Sequence, residues 1–385
     1  MSEKQINSST VNIPSITMTQ QSNNPATIAS KWQLFIKDSL LKLINPSGTV
    51  KIVVDEDSTQ TLSNKTLDAS TVLPASGVAP GSYTLLSATI GADGRITSAA
   101  NGSSTSIPGL CQGRLTLTSG TPVTTSDVTG AGTLYFTPFK GNQVSLHDGS
   151  VWATYTFTER SLALSLTAAN VYDVFLYDNA GTLTLETLIW TNPTTRATAI
   201  VLQDGIYVKS GDTTRRYLGS IYASGSNTTE DSVLKRFVWN YYNRVPRKLR
   251  MIDTTDSWTY STATFRSWNN SATNRVEAVV GVSEEMLYLR FAGFVGIVSS
   301  AAGVFGIGVD STSVNSSEPN GFAQNASAIS AITVPIEAIY NVIPTVGYHY
   351  YQALERGNGS GTTTFYGDNG AAGIIQSGMT GWVTG

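Results

Sequence analysis

The sequence predicts a mainly β protein: short β modules near the N-terminus, then two antiparallel, jelly-roll-like β-sandwich domains, with one short helix. Three observations predict it. Charged residues make up 13% of the chain, about half of the roughly 25% usual in soluble proteins, and Ser, Thr, Asn and Gly fill the difference. The 35 Gly and 13 Pro are spread along the whole length, as many turns and few long helices require. Between those turns lie short runs in which β-branched and aromatic residues alternate with polar ones.

Residues 1–24 are polar, with Ile13, Ile16 and Met18 isolated among Ser, Thr, Asn and Gln. Such composition fits a disordered tail; the functional alternative is an arm that orders when it docks, with those three residues as apolar pegs. Next, Trp32–Ile36 and Leu41–Ile44 read as a strand pair, and Asn45-Pro46-Ser47-Gly48 turns the chain into Val50–Val54. A further hairpin runs from Tyr83 to Ile90, turns through Gly91-Ala92-Asp93-Gly94 and returns as Arg95-Ile96-Thr97. Gly94 supplies the positive φ that such a turn needs. Two-stranded ribbons of this length are marginal alone in water. They become stable when like chains wrap round one axis and bury their apolar edges, so an intertwined homotrimer is expected.

These stretches also carry a family resemblance. NPAT…KWQLFIKDSLLKLINPSGTVKIV, STQTLSNKTLDAST and GVAPGSYTLLSATIGADGRITSA follow one another within the first third of the chain. Each resembles a module of bacteriophage tail-fibre proteins, and the three stand in that family's order. The resemblance implies an attachment arm (1–24), a shaft (25–110) and outward domains. Its partners would be its own copies, other virion proteins of tail or capsid, and a bacterial surface receptor, most simply a glycan. The chain would then sit on the virion surface after synthesis in the host cytoplasm.

The domain 111–245 reads as the first sandwich, with strands at Arg114–Thr118, Thr133–Thr137, Gln143–His147, Val151–Phe157, Tyr172–Tyr177, Leu183–Leu188, Ile206–Lys209 and Arg216–Tyr222. Thr228 or Thr229 then stands as a cap before Glu230-Asp231, and Val233, Leu234, Phe237, Val238 and Tyr241 recur at helical spacing up to Pro246. That pattern predicts the single helix. Arg244, Arg247, Lys248 and Arg250 form the one basic run. It reads as a solvated hinge at a domain boundary, or alternatively as a contact for acidic surface glycans. From there 246–385 reads as the second sandwich and as the receptor-binding head.

Chemistry is sparsely provided. His147 and His349 are the two histidines, far apart in sequence, and Cys111 is the single cysteine. This excludes a disulfide framework and leaves no zinc spacing. Asp55-Glu56-Asp57 lacks the ligand alternation of a calcium loop. No phosphate-binding glycine motif occurs. Glu284-Glu285, Asp253 with Asp256, and Glu318 are the carboxylates weighed for glycan cleavage, but strand neighbours one apart face opposite sides. No catalytic residue, metal or cofactor is therefore expected. A net charge of −3 gives no electrostatic footprint for nucleic acid. No apolar run is long enough to span a membrane as a helix, and MSEKQINSSTVN lacks the apolar centre of a signal peptide.

Sugar C–H faces pack on indole and phenol rings, so aromatics in polar, Gly/Asn-rich surroundings are the candidate glycan contacts: Trp258, Tyr260, Trp268, Tyr366 and Trp382. Core filling is the competing reading for each. The expected function is adhesion as a trimeric tail fibre. The alternatives are a capsid-attached head fibre or decoration protein, and a polysaccharide depolymerase tailspike.

Overall fold

The structure is a computed structural model that describes residues 18–53, 77–92, 94–102, 106–326 and 330–385. Ile13, Ile16, the 58–71 element and the acidic cluster at 55–57 lie outside the described residues. The chain divides into two compact units, 1–102 and 103–385.

In the first unit Gln33–Lys37 pairs antiparallel with Leu40–Ile44, which pairs with Val50–Ile52. The predicted turn closes there, with Gly48 at φ 89° and its N–H donating to the Asn45 carbonyl. Ser87–Ile90 and Ile96–Ala100 form the second hairpin. Gly94 takes φ 77°, in the left-handed region where only glycine sits without strain. Met18 is half-buried, and Gln20 bridges to Ile36 on the first sheet's edge. Among the described residues of this unit Phe35 and Ile44 are the buried apolar ones, while Trp32, Leu34, Leu85 and Ile90 stand exposed at 55%, 46%, 59% and 68%.

The second unit is a stack of antiparallel β layers separated by three apolar cores. The outermost layer comprises Gly113–Thr116, Thr133–Pro138 and Arg160–Ala163, beside the hairpin Gln143–His147 and Trp152–Thr156. It packs on a six-stranded sheet built round Val171–Asn179 and Asp212–Tyr222. Alternation explains why Val171–Tyr177 is apolar apart from the buried Asp173. Tyr172, Val174 and Leu176 fill the core toward the outer layer, while Val171 and Phe175 fill the core on the opposite face. A strand buried on both faces reads as a continuous apolar run. That opposite face meets Val279 and Tyr348 of an eight-stranded sheet containing Arg275–Val280, Ala302–Val309 and Gly347–Arg356. The last layer is a six-stranded sheet in which Leu287–Ile297 lies between Ile332–Val342 on one side and Ser377–Thr384 with Thr363–Tyr366 on the other. Pro246–Asp253 and Ser257–Thr259 form its margins.

Two expectations are corrected. The segment predicted as a helix is instead three short strands, Thr229–Asp231, Lys235–Arg236 and Val238–Asn240. Phe237, Val238, Trp239 and Asn240 are buried in succession while Leu234 is exposed, which no helical stripe allows. The segment crosses between sheets, where neighbours on both sides take its backbone groups: Gly219–Ile221 pairs Val238–Asn240, and Glu277–Ala278 pairs Lys235–Arg236 in parallel. The basic run is likewise no solvated hinge, because Pro246–Asp253 is a strand and its alternation sorts the charges. Arg247 points inward to Asp231 at 2.7 Å, and Arg236 meets the same carboxylate at 2.8 Å. Lys248 and Arg250 point outward and are exposed. The two expected sandwiches therefore share a sheet, since Val128–Ala131 and Thr229–Asp231 join the one that holds Gly347–Arg356.

Candidate glycan-binding face

The outward side of the last layer gathers the side chains best suited to hold a ligand. Strand register places Lys248 opposite Trp382, Trp382 opposite Tyr288, and Tyr288 opposite Asn341. The next outward row is Arg250, Thr380, Arg290 and Ile339. Directly opposed residues share a face of a sheet, so these two rows form one polar–aromatic surface. Trp382 is 45% exposed and stacks on Tyr288, with ring centroids 4.6 Å apart and an interplanar angle of 29°. The pair floors a recess of ≈ 360 Å³ rimmed by Pro246, Lys248 and Arg290.

Arg290 continues this surface into a second recess of ≈ 430 Å³, lined also by Phe294, Pro335, Glu337 and Gln376. Phe294 lies opposite Tyr366. The six residue steps from Tyr288 to Phe294 span about 20 Å along the strand, so the aromatic groups stand at both ends of an extended track. Arg290 pairs with Glu337 at 2.5 Å, with both side chains about half exposed, a surface contact of small worth. Among the described residues, Lys248 and Arg250 have no carboxylate partner. The face therefore carries net positive charge on a chain that is negative overall.

The structure sorts the five predicted aromatics into three environments. Trp382 and Tyr366 lie on the outer face. Trp268 does not: it is 0% exposed, the centre of an aromatic core, with Trp258, Phe291 and Phe305 edge-on at 4.7, 4.9 and 4.9 Å. Its assignment as a ligand contact is corrected, because a ring enclosed on every side by other rings offers no face to a sugar. Trp258 and Tyr260 are engaged in a network at the sandwich edge. The Trp258 indole N–H donates to Glu355 Oε2 at 2.6 Å, Arg266 holds Oε1 at 2.6–2.7 Å, and the Arg266 guanidinium lies 3.8 Å from the Tyr260 ring centroid.

Burial dominates the Glu355 carboxyl and pushes it from 4.5 up to about 7, against the Trp258 and Arg266 contacts that pull it down. A carboxyl whose folded value lies above its unfolded one binds the extra proton in the folded state. Its contribution to stability is complete below the unfolded value and is lost as pH rises through about 7. Thermal unfolding stepped from about pH 5 to pH 8 is expected to show a decline that Glu355→Gln flattens, on the order of 3 kcal/mol across the window. Equal slopes in the two proteins would contradict that assignment.

The histidines remain apart. His147 Nδ1 lies 3.1 Å from Thr213 Oγ1, and His349 Nδ1 lies 2.7 Å from Asp310 Oδ2. Cys111 is buried, and burial pushes its thiol up. Among the described residues no group of His, Cys, Asp and Glu is placed to hold a metal, and no helix is long and apolar enough to cross a membrane. Sequence reading missed Tyr288, Arg290 and Phe294. The signal was the alternation of Leu287, Leu289 and Phe291 with those residues, which marks one buried and one outward side.

No protein-family model and no curated protein matches the chain. Among solved structures it is similar to a β-porphyranase of glycoside hydrolase family 86 from the human gut bacterium Bacteroides plebeius. The identity is 12% over 68% of this chain and 38% of that one, with a TM-score of 0.22. An insecticidal delta-endotoxin of Bacillus thuringiensis matches at 8% identity over 67% of this chain and 53% of its own, with a TM-score of 0.20. A family 43 arabinoxylan arabinofuranohydrolase from Bacillus subtilis matches at 15% identity, covering 63% of this chain and 52% of its own, with a TM-score of 0.18. The chain thus spans between about two fifths and half of these proteins, and at such scores the likeness carries no argument about activity.

Proposed function

We propose that this chain is an adhesive virion protein, a trimeric bacteriophage tail fibre that holds an acidic glycan of the bacterial surface on the outer face of its last sheet. The observation that carries the adhesive reading is the Lys248–Trp382–Tyr288 row: an exposed stacked aromatic pair beside unpaired cations. Indole and phenol faces take the apolar face of a pyranose, and Lys248 and Arg250 take its carboxylate or phosphate. Each such site is weak, and repetition on a symmetric particle multiplies it through effective concentration. Binding is favoured over cleavage because glycosidases need two carboxyl groups about the scissile bond, and Glu337 is the one carboxylate among the recess-lining residues.

The fibre part of the proposal rests on the resemblance of the N-terminal modules. It is supported by the exposed Trp32, Leu34, Leu85 and Ile90 of thin sheets that leave few apolar residues covered, as sheets that are completed by like chains do. Sedimentation at micromolar concentration is expected to give a trimer; a stable, folded monomer overturns the fibre reading. Affinity electrophoresis through alginate, an acidic polysaccharide, is expected to retard the protein, with dextran as the neutral control. Unchanged mobility in alginate overturns the adhesive reading. A rise in reducing ends would favour the depolymerase instead.

A further inference from the structure

The recesses of the outer face form one open trough. Arg290 lines those of ≈ 430, ≈ 360 and ≈ 230 Å³ alike, and Ala292 and Gln376 are common to the first and the last. The trough follows Leu287–Ile297 from the Trp382–Tyr288 pair at one end to Phe294 at the other, with Ala292 and Gly378 opposite each other between them. At the far end the Tyr366 ring lies along the sheet instead of standing off it. It fills the space beside Gly296, where a Cβ would stand 2.9 Å from its hydroxyl and 3.2 Å from the ring. Tyr366 and Phe294 are directly opposed and half-buried, so part of each ring is open to a ligand.

Length and charge then restrict what fits. A pyranose in an extended chain advances by about 5 Å, close to the spacing of neighbouring strands, so the about 20 Å between the aromatic ends takes about four sugars. Charge is uneven along that length. Lys248 and Arg250 have no carboxylate partner among the described residues, and both lie at the Trp382 end, opposite Trp382 and Thr380. Arg290 is paired with Glu337, and Glu337 stands opposite Ala292, in the farther half. Beyond Arg290, no Lys or Arg is among the described residues lining the recess that holds Phe294. An acid group on the sugar at Trp382 therefore meets free cations. One over Ala292 meets a carboxylate whose counter-ion is already in place, and like charges set side by side reject the wrong partner.

We infer that the trough selects a linear glycan with one acid group in about every four sugars, holding the acidic unit at Trp382 and neutral units from Ala292 to Tyr366. This rests on the glycan-binding reading of the same face and adds a chain length and a charge spacing to it.

Titration calorimetry on the whole chain tests it. The probes are fragments of deacylated gellan, whose linear tetrasaccharide repeat carries a single glucuronate, and alginate fragments of equal length, acidic at every sugar. Dextran fragments are the neutral control. Gellan octasaccharide is expected to bind about tenfold more tightly than the glucuronate-containing gellan disaccharide, and about fivefold more tightly than alginate octasaccharide. Glu337→Gln, at an exposed position, frees Arg290 and is expected to raise the affinity for alginate about fivefold and that for gellan less. Phe294→Ala is expected to remove most of the gain from disaccharide to octasaccharide. Tyr366→Ala at the same end is expected to do likewise, and thermal unfolding checks that both variants are folded. The inference is overturned if the disaccharide binds as tightly as the octasaccharide, or if Glu337→Gln leaves the alginate-to-gellan ratio where it was. Alginate binding more tightly than gellan, in proportion to its charge, overturns it and leaves the acidic-glycan reading standing. Binding of neither polymer overturns both.

Discussion

Trp268→Ala is expected to destabilise the second unit by about 4 kcal/mol, the range for removing a fully enclosed large aromatic side chain. The ring is 0% exposed and touches Trp258, Phe291, Phe305 and Phe365 edge-on, with centroids between 4.7 and 5.6 Å. Those partners come from different strands of both sheets, so they cannot close together over the void without moving the sandwich. Its place at the start of a short 3-10 turn, Trp268–Asn270, adds to this, because the turn backbone is held by strand neighbours and cannot follow a shrinking side chain. Trp268→Phe, which keeps edge-to-face contacts, is expected to lose about half as much. Denaturant unfolding measures both. A loss under about 1 kcal/mol for the alanine variant would mean that the ring does not organise this core.

The largest expected effect on binding is at Trp382. Trp382→Ala is expected to weaken retention by acidic polysaccharide roughly thirtyfold, the scale of an aromatic anchor worth about 2 kcal/mol. Stability is expected to hold within about 0.5 kcal/mol, since the residue is 45% exposed and meets one ring, that of Tyr288. Trp382→Tyr keeps an apolar face over Tyr288 and is expected to recover part of the binding. Lys248→Ala is expected to act differently. It removes a cation from the rim and should reduce the dependence of binding on salt more than the binding at high salt. If Trp382→Ala binds as the parent does, the ligand does not lie on this face.

The contrast between these tryptophans shows how far sequence reading reaches. Both stand in polar, Ser/Thr/Gly/Asn-rich surroundings, and local composition does not distinguish them. Trp382 follows Gly381 in a strand whose alternate residues, Met379 and Val383, are buried, so period-2 alternation could have turned it outward. Trp268 lies at the end of a two-residue strand and the start of a turn, where no periodicity operates. The helix expected over 228–245 failed for a related reason. Val233, Leu234, Phe237, Val238 and Tyr241 mimic a helical stripe, but a stripe predicts one covered side, whereas Phe237 to Asn240 are buried in succession and Leu234, a member of the stripe, is exposed.

By itself the sequence determined the β class, the hairpins with their glycine turns, and the alternation that gives each strand two unlike sides, because these follow from local sterics and solvent preference. Only the tertiary structure decided which of those sides meets another layer. That choice turned the basic run into one buried ion-pair cluster and one exposed cationic edge, hid Trp268 and left Trp382 open. The physical reason is that burial belongs to pairs of surfaces distant in sequence, and a strand's own residues do not name the sheet that will cover it.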